Sequence, residues 1–196
     1  MTEPEPDWRQ RKKAETRDRI RGCALRLFLE QGYDATTVEQ IAAAAGVSHM
    51  TFFRYFPAKE DVVLSDSYDP MIARLLEQTP VGWPLLQRIR AALREGLAQV
   101  YETDRDTLLA QNKLIAATPA LRDRLWADQI AAQQLFLRAL GVGAGPGHRP
   151  SLQTRVTVAA CLAAASTAIL AWVENDGTPE LPDLVDQAFE ALSHPA

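Results

Sequence analysis

Two short helical segments that meet at a glycine constrain the fold of this chain more than any other feature. Thr36 followed three residues later by Glu39 fits a capping box, which predicts the start of a helix that ends by Ala44. Gly46 then allows the positive φ of a tight turn, and Ser48 can cap the next helix. The pattern therefore predicts two short helices held at a steep angle.

Helical periodicity dominates the rest of the chain, and no segment alternates convincingly with period two. Apolar residues between Ile20 and Phe28 fall on one face of a helix that ends at Gly32, a position suited to a left-handed cap. Prolines and glycines mark the later breaks. The predicted helices span about residues 11–31, 38–44, 48–55, 58–79, 84–102, 105–117, 118–140, 151–175 and 180–193. We therefore expect an all-α fold of about nine helices.

Charge is distributed unevenly along the chain. The net charge is −4, yet residues 9–59 carry ten Lys and Arg against five Asp and Glu. Residues 60–196 carry eleven basic against seventeen acidic residues. A basic head on an acidic body is typical of a protein that presents one end to a polyanion, although chance clustering also produces this pattern. We expect a disordered acidic tail over residues 1–8, a helix-turn-helix domain over 9–57 and a second domain over 58–196.

The sequence argues against several classes of function. It contains no Ser/His/Asp set, phosphate-binding loop or metal-ligand spacing, so we expect neither catalysis nor a metal or cofactor. No apolar run approaches the length that spans a bilayer, and no signal peptide is evident, so we expect no membrane contact. Cys23 and Cys161 lie far apart in apolar surroundings, which favours free thiols in a reducing cytoplasm.

The two short helices have the character of a DNA-reading helix-turn-helix. Small and apolar side chains supply the core between them: Ile41, Ala42, Ala45, Val47 and Phe52. The stretches GYDATTVEQIA, from Gly32, and GVSHMTFFRYFPAKE, from Gly46, resemble the DNA-binding domain of the TetR family of regulators. The resemblance covers residues 16–64 and rests on the order and spacing of apolar, glycine, threonine and aromatic positions.

This resemblance implies an Ω-shaped homodimer with one recognition helix in each of two successive major grooves and a ligand pocket in the C-terminal body. Effector binding would then shift the spacing of the recognition helices away from the roughly 34–36 Å between grooves, through the fourth helix. One departure from the family is Ala58, which stands where Ser or Thr usually caps that helix. The missing cap costs about 1 kcal/mol locally.

Several residues are candidates for contacts with DNA phosphates. Thr37 and Ser48, at the starts of the two short helices, can offer hydroxyls and backbone N–H groups. The resemblance implies that Tyr55 and Lys59 hold the phosphate backbone. The basic stretch Arg9–Lys13 either follows the minor groove or adjacent phosphates, or forms a solvated tail.

The exposed side of the third helix is the candidate for base contacts. Met50 and Phe53 suit thymine methyl groups, His49 suits a purine acceptor, and Thr51 lies between them. The alternative for Phe53 and Tyr55 is packing in an aromatic cluster. Because this surface offers few bidentate donors, we expect a share of shape readout.

The two last helices carry the features of a dimer interface. Small residues recur at spacings of three and four over 151–175, which lets another helix approach closely. They are Ala159, Ala160, Ala163, Ala164, Thr167, Ala168 and Ala171. Apolar residues over 180–193 complete the set, and the family resemblance points to the same pair of helices. An ordinary core within one chain is the alternative.

The central helices carry the residues expected to line an effector pocket. The candidates are Trp83, Leu86, Ile89, Leu93, Leu109, Asn112, Ile115, Trp126, Ile130 and Phe136. Apolar lining with a few polar contacts is typical of small-molecule sites, although plain core packing is the alternative for each residue. Residues 104–140 also resemble actinobacterial members of the family that are suspected of binding acyl-CoA-like ligands. We expect an apolar or amphipathic effector of unknown identity.

Together these features predict a cytoplasmic, nucleoid-associated regulator that binds operator DNA as a homodimer. Repression, relieved by a small effector, is the family's usual mode. The alternative is a protein-interaction module built on a vestigial helix-turn-helix. Steep salt dependence of binding to DNA beside its own gene would distinguish the two.

Overall fold

A computed structural model describes residues 8–64, 68–141 and 149–193 of the chain. The predicted all-α class is confirmed, with nine helices in these three stretches. They are α1 (Trp8–Gln31), α2 (Val38–Ala44), α3 (His49–Tyr55), α4 (Lys59–Leu64), α5 (Tyr68–Gln78), α6 (Leu85–Ala117), α7 (Pro119–Ala139), α8 (Leu152–Glu174) and α9 (Leu181–Ser193). The chain forms two compact units, Met1–Ser65 and Asp66–Ala196.

The first unit differs from the sequence prediction at both of its ends. α1 begins at Trp8, so the basic stretch that was left open as a tail is helical. The unit extends to Ser65, beyond the predicted boundary at Pro57, because α4 packs against α1. The acidic tail predicted over 1–8 lies, apart from Trp8, outside the described residues.

The predicted capping box of α2 is displaced by one residue. Thr37, in extended conformation, caps the helix: its hydroxyl accepts from Gln40 N at 3.2 Å, and Gln40 Oε1 accepts from Thr37 N at 2.8 Å. Thr36, which we expected to pair with Glu39, is buried, and its hydroxyl donates to the Gly32 carbonyl at 2.8 Å. The capping pair is Thr37 and Gln40 instead of Thr36 and Glu39, because the Thr36 hydroxyl bonds inside the unit and Thr37 stands at the start of the helix.

A missing cap at α4 is partly replaced. Ala58 has no side-chain acceptor, but its backbone N–H donates to Asp61 Oδ2 at 2.8 Å. The carboxylate therefore supplies the reciprocal half of a capping box. As described, α4 reaches Leu64 and α5 starts at Tyr68. We predicted one helix over about 58–79, and residues 65–67, which would join the two, lie outside the described stretches.

The second unit is built around α6, whose helix is broken where the sequence predicted a break. Asp104 has the non-helical angles φ −150° and ψ 33°. Beyond that kink, Arg105 Nη2 donates to the Gly177 carbonyl at 2.8 Å, and Lys113 donates to Asp176. These bonds tie α6 to the connection between α8 and α9.

The core of the second unit joins α5, α6, α7, α8 and α9. Its largest fully buried side chains are Leu76, Ile89, Phe136, Trp172, Leu181 and Phe189. Helices α5 and α6 approach closely at Gly96, where an added Cβ would lie 2.5 Å from Ile72 Cγ1. The absence of a side chain at this position allows the two helices to pack.

One sequence expectation about α8 was wrong. By length and composition alone, Leu152–Glu174 is long and apolar enough to cross a membrane, with a mean hydropathy of 2.0. Seven of its residues, among them Cys161 and Trp172, are buried within the unit.

Candidate nucleic-acid interface

A tight turn sets the direction of α3 relative to α2. Gly46 adopts φ 62°, and the Val47 N–H donates to the Ala42 carbonyl at 2.9 Å. A Cβ at Gly46 would meet no atom within 4 Å, so the backbone angle and not space requires glycine. Ser48 then caps α3 by accepting from Thr51 N at 3.1 Å, as predicted.

Phe52 and Phe56 anchor α3 in the unit. They are 0% and 1% exposed, and their ring centroids lie 5.9 Å apart. This confirms the core role predicted for Phe52, and Phe56 shares it. With Phe52 pointing inward, Met50 lies on the opposite side of the helix and is 83% exposed. A short, well-anchored helix thus carries an uncovered methionine.

One flank of α3 faces α2. His49 Nε2 lies 3.3 Å from Glu39 Oε1, and the His49 ring meets the Phe53 ring edge-on at 4.7 Å between centroids. Hydrogen bonds from the backbone and from Thr37 hold the pKa of Glu39 below its usual value, and His49 adds to this effect. The carboxylate therefore stays ionised and orients the imidazole beside the exposed Phe53.

The other flank of α3 faces α1. Thr51 and Tyr55 lie on this side. We expected Thr51 among the base contacts, but a position two residues after His49 lies on the opposite side of the helix from the flank that faces α2. The Ser48 hydroxyl donates to Thr51 Oγ1 at 2.9 Å. The Thr51 hydroxyl therefore keeps its own proton for another acceptor.

Lys59 is more engaged than the sequence suggested. Its Nζ donates to the carbonyls of Tyr33 at 2.9 Å and Thr36 at 3.1 Å, and lies 4.0 Å from the Tyr33 ring centroid. The neighbouring Glu60 accepts from the Tyr33 hydroxyl at 2.9 Å. Burial, with Glu60 beside it, raises the pKa of Tyr33. Lys59 therefore fastens the loop that presents Thr37.

Sequence reasoning missed a groove between α1 and α3 with a volume of about 390 Å³. Its lining residues are Trp8, Arg9, Lys12, Lys13, Thr16, Thr51, Arg54 and Tyr55. The signal was present in the sequence: residues 9, 12, 13 and 16 have the spacing of one helix face. It was overlooked because the helix was expected to start at about residue 11.

The predicted pocket residues of the second unit do not all come together. Ile89, Leu93, Ile115 and Phe136 are buried, and Leu86 and Leu109 pack against the same core. Asn112 is half-buried and donates to the Leu108 carbonyl at 2.9 Å. These contacts are compatible with either a pocket wall or plain core packing.

Two predicted pocket residues lie on the surface instead. Trp83 is 42% exposed, because it sits in the turn before α6, where its N–H donates to the Pro80 carbonyl. Ile130 is 60% exposed, because it lies about 120° around α7 from the buried Phe136. The side chain of Trp126 lies outside the described residues.

The predicted dimer face of α8 divides into two sides. Ala164 and Ala168 are buried in the unit's own core, so for them the alternative of an intrachain core holds. Ala163 and Thr167 are exposed. With Leu152, Val156 and Leu170, which are 75%, 56% and 49% exposed, they form one stripe. These five residues fall within about 60° around the helix.

Comparison with known proteins identifies both units. Residues 20–65 match the family described as bacterial regulatory proteins, tetR family, and residues 83–196 match the MftR C-terminal domain. The transcriptional regulator TcmR of Streptomyces glaucescens is 41% identical over 123 residues, which cover 59% of this chain. That alignment spans 54% of TcmR, so the chain matches only about half of this relative's length.

Solved structures share the fold across nearly the whole chain. FadR of Thermus thermophilus, a repressor solved with lauroyl-CoA, aligns with a TM-score of 0.55 and 24% identity over 92% of this chain and 98% of its own. FadR of Bacillus subtilis, solved with stearoyl-CoA, aligns with a TM-score of 0.58 and 20% identity. That alignment covers 89% of this chain and 96% of the FadR chain. The chain therefore belongs to the TetR family of DNA-binding transcriptional regulators, with an MftR-type C-terminal domain.

Proposed function

We propose that this regulator is a repressor that binds its operator as a homodimer, reads bases with α3 and leaves the DNA when its second unit binds an apolar or amphipathic effector. The exposed face of α3 is the observation that carries base reading. Met50 is 83% and Phe53 40% exposed, although the helix is anchored by a buried Phe52. Exposed apolar side chains on a firmly packed helix indicate a surface that meets a partner.

The chemistry of that face favours DNA as the partner. Met50 and Phe53 suit the methyl group of thymine, and His49, oriented by Glu39, can bond a base edge. The phosphate contacts would come from Thr37 and Tyr55, on the two sides of the reading face. The protein-interaction alternative requires an apolar partner surface and gives no role to the surrounding cations.

Binding of the full chain to the DNA beside its own gene tests this proposal. We expect fluorescence anisotropy to show binding that weakens steeply with salt. Met50→Ala should lower affinity for the operator by roughly five- to tenfold with little effect on unrelated DNA. Val81→Ala is the matched control, since Val81 is 84% exposed in the second unit. Binding to no such fragment at low salt would instead favour the interaction module.

The proposed effector class rests on two independent supports. Structural neighbours with the same fold are FadR proteins solved with lauroyl-CoA and stearoyl-CoA. In this chain, Trp172 Nε1 is fully buried and has no hydrogen-bond partner among the described residues. A buried unpaired donor is costly, and a ligand carbonyl or hydroxyl would satisfy it. An amphipathic ligand combines such an acceptor with an apolar chain.

The proposed homodimer is supported by the exposed stripe on α8. A row of apolar and small side chains from Leu152 to Leu170 lies open along a helix whose other side is buried. Leu192 on α9 is a further exposed apolar residue, at 37%. The Thr167 hydroxyl donates to the Ala163 carbonyl at 2.8 Å and so needs no water. Such a surface suits close packing against its own copy.

A further inference from the structure

We propose that the polar group of the effector binds beside Trp172, at the kink of α6, and that this site selects an uncharged acceptor, such as an ester, thioester or ketone carbonyl, over a carboxylate. The inference rests on the proposed function and adds where the ligand's head lies and which charge it carries. Trp172 is 0% exposed, and its Nε1 has no hydrogen-bond partner among the described residues. The indole N–H is therefore a neutral donor that the folded chain leaves unsatisfied.

The side chains around the Trp172 ring place this donor at the kink. The Tyr101 ring, which precedes the break at Asp104, lies 5.8 Å from the Trp172 ring between centroids. Arg105, directly after the break, has its guanidinium carbon 5.8 Å from the centroid of the Trp172 ring. Two side chains of α6 therefore flank the indole of α8, one on each side of the break in the helix.

The cation beside the indole already donates from each of its three nitrogens. Arg105 Nε donates to the Tyr101 hydroxyl at 2.9 Å, and Nη2 donates to the Gly177 carbonyl at 2.8 Å. Nη1 donates to Asp106 Oδ1 at 3.4 Å. Glu180 lies 3.7 Å from Arg105 Nε and also accepts from the Tyr101 hydroxyl. Two carboxylates thus balance one guanidinium, which leaves no net positive charge for an anionic ligand.

This charge balance decides between an uncharged and an anionic head group. A carbonyl oxygen that accepts from Trp172 Nε1 satisfies a donor that otherwise lacks a partner. A carboxylate at the same place would be buried near Glu180 with a single neutral donor, and burial of an unpaired charge is far more costly than burial of a carbonyl. The next cation along α6, Lys113, is paired with Asp176. The site therefore favours a neutral acceptor.

The turn after α8 closes this end of the core. Gly177 has φ 84°, and a Cβ there would lie 2.8 Å from Leu109 Cδ2 and 3.3 Å from Arg105 Nη2. Because no side chain fits between this turn and α6, the apolar part of a ligand would extend from Trp172 into the core and not out past the turn. A neutral head beside the indole and an apolar chain in the core define the ligand class.

Three probes with the same apolar chain and different heads test the selection. We expect methyl laurate, an uncharged ester, to bind the full chain on the order of tenfold more tightly than laurate does in calorimetry at neutral pH. Trp172→Phe should lower the affinity for methyl laurate by roughly tenfold and change that for dodecane, which has no acceptor, by less than about twofold. Trp8→Phe, in the first unit and 65% exposed, is the matched control and should change neither affinity.

The comparison of probes separates the indole N–H from the packing of the ring. Equal losses for methyl laurate and dodecane would show that Trp172 acts through packing alone, and this would overturn the inference. Laurate that binds as tightly as methyl laurate would overturn it as well. Failure of the wild type to bind any of the three probes would instead contradict the proposed effector class, and the inference would fall with it.

The indole N–H resonance of Trp172 provides a test that needs no folded variant at this position. In wild-type protein with isotope-labelled tryptophan, Phe replacements of the other three tryptophans assign this resonance by elimination. We expect it to shift downfield when methyl laurate binds and not when dodecane binds, because only the ester accepts a hydrogen bond. An indole resonance that stays in place when methyl laurate is bound would overturn the inference.

Discussion

At the scale of single residues, the structure distinguishes glycines that look alike in the sequence. Gly22 and Gly96 both lie inside helices, where glycine is unfavourable relative to alanine. A Cβ at Gly22 would meet nothing within 4 Å, whereas one at Gly96 would lie 2.5 Å from Ile72 Cγ1. Ile72 is itself buried, so it has little room to move. The two positions should therefore respond oppositely to the same substitution.

We expect Gly22→Ala to stabilise the first unit by about 0.5–1 kcal/mol, because the unfolded chain loses freedom and the helix gains a better former. Gly96→Ala should destabilise the second unit by about 1–3 kcal/mol through overpacking of α5 on α6. Urea unfolding followed by circular dichroism measures both. A stabilising Gly96→Ala would mean that the two helices are not as close as the structure has them.

At the scale of elements, the sequence predicted where helices lie better than it predicted their ends and faces. Proline, glycine and apolar periodicity located the helices within a few residues, except that α4 and α5 were predicted as one helix, and the break at Asp104 was anticipated. The start of α1 was misplaced because charged residues carry no apolar periodicity. The side that each alanine of α8 presents could not be predicted, since Ala163 and Ala164 are chemically identical and only packing separates them.

The same limit applies to the candidate sites. Residues of α3 are adjacent in sequence, so most of their placement followed from helical geometry once Phe52 was assigned to the core; Thr51, which faces α1, is the exception. The groove joins α1 to α3, and pairing of distant segments is not written in local periodicity. The exposure of Trp83 and Ile130 could not be predicted, because an apolar side chain looks the same in a core and on a surface.

The exposed stripe on α8 gives a prediction for this element. Leu170→Glu should shift the protein from dimer to monomer, because a carboxylate in a close helix contact is desolvated without a partner. Size-exclusion chromatography with light scattering measures the mass, and operator affinity should fall with it. Val81→Glu places the same charge at an exposed site outside α8 and should leave the dimer intact. A dimeric Leu170→Glu protein would place the interface elsewhere.

At the scale of the whole molecule, effector and operator should oppose each other. We expect lauroyl-CoA and stearoyl-CoA to lower operator affinity, and free coenzyme A, which lacks the acyl chain, to have little effect. Linkage requires the operator to lower acyl-CoA affinity by the same factor, so calorimetry with and without DNA provides an independent check. Unchanged operator affinity with both ligands would exclude these acyl-CoA molecules as effectors. It would not contradict the proposal that the protein binds DNA.

The bonds of Lys59 and Glu60 suggest how little movement such a response needs. These adjacent residues of α4 hold the loop before α2 through the Tyr33 and Thr36 carbonyls and the Tyr33 hydroxyl. A shift of α4 by about an ångström would stretch these bonds beyond hydrogen-bond length. The loop that positions Thr37 would then gain conformational entropy, and the operator would have to re-order it on binding. Loss of local order would weaken operator affinity even if the distance between the two recognition helices stayed constant.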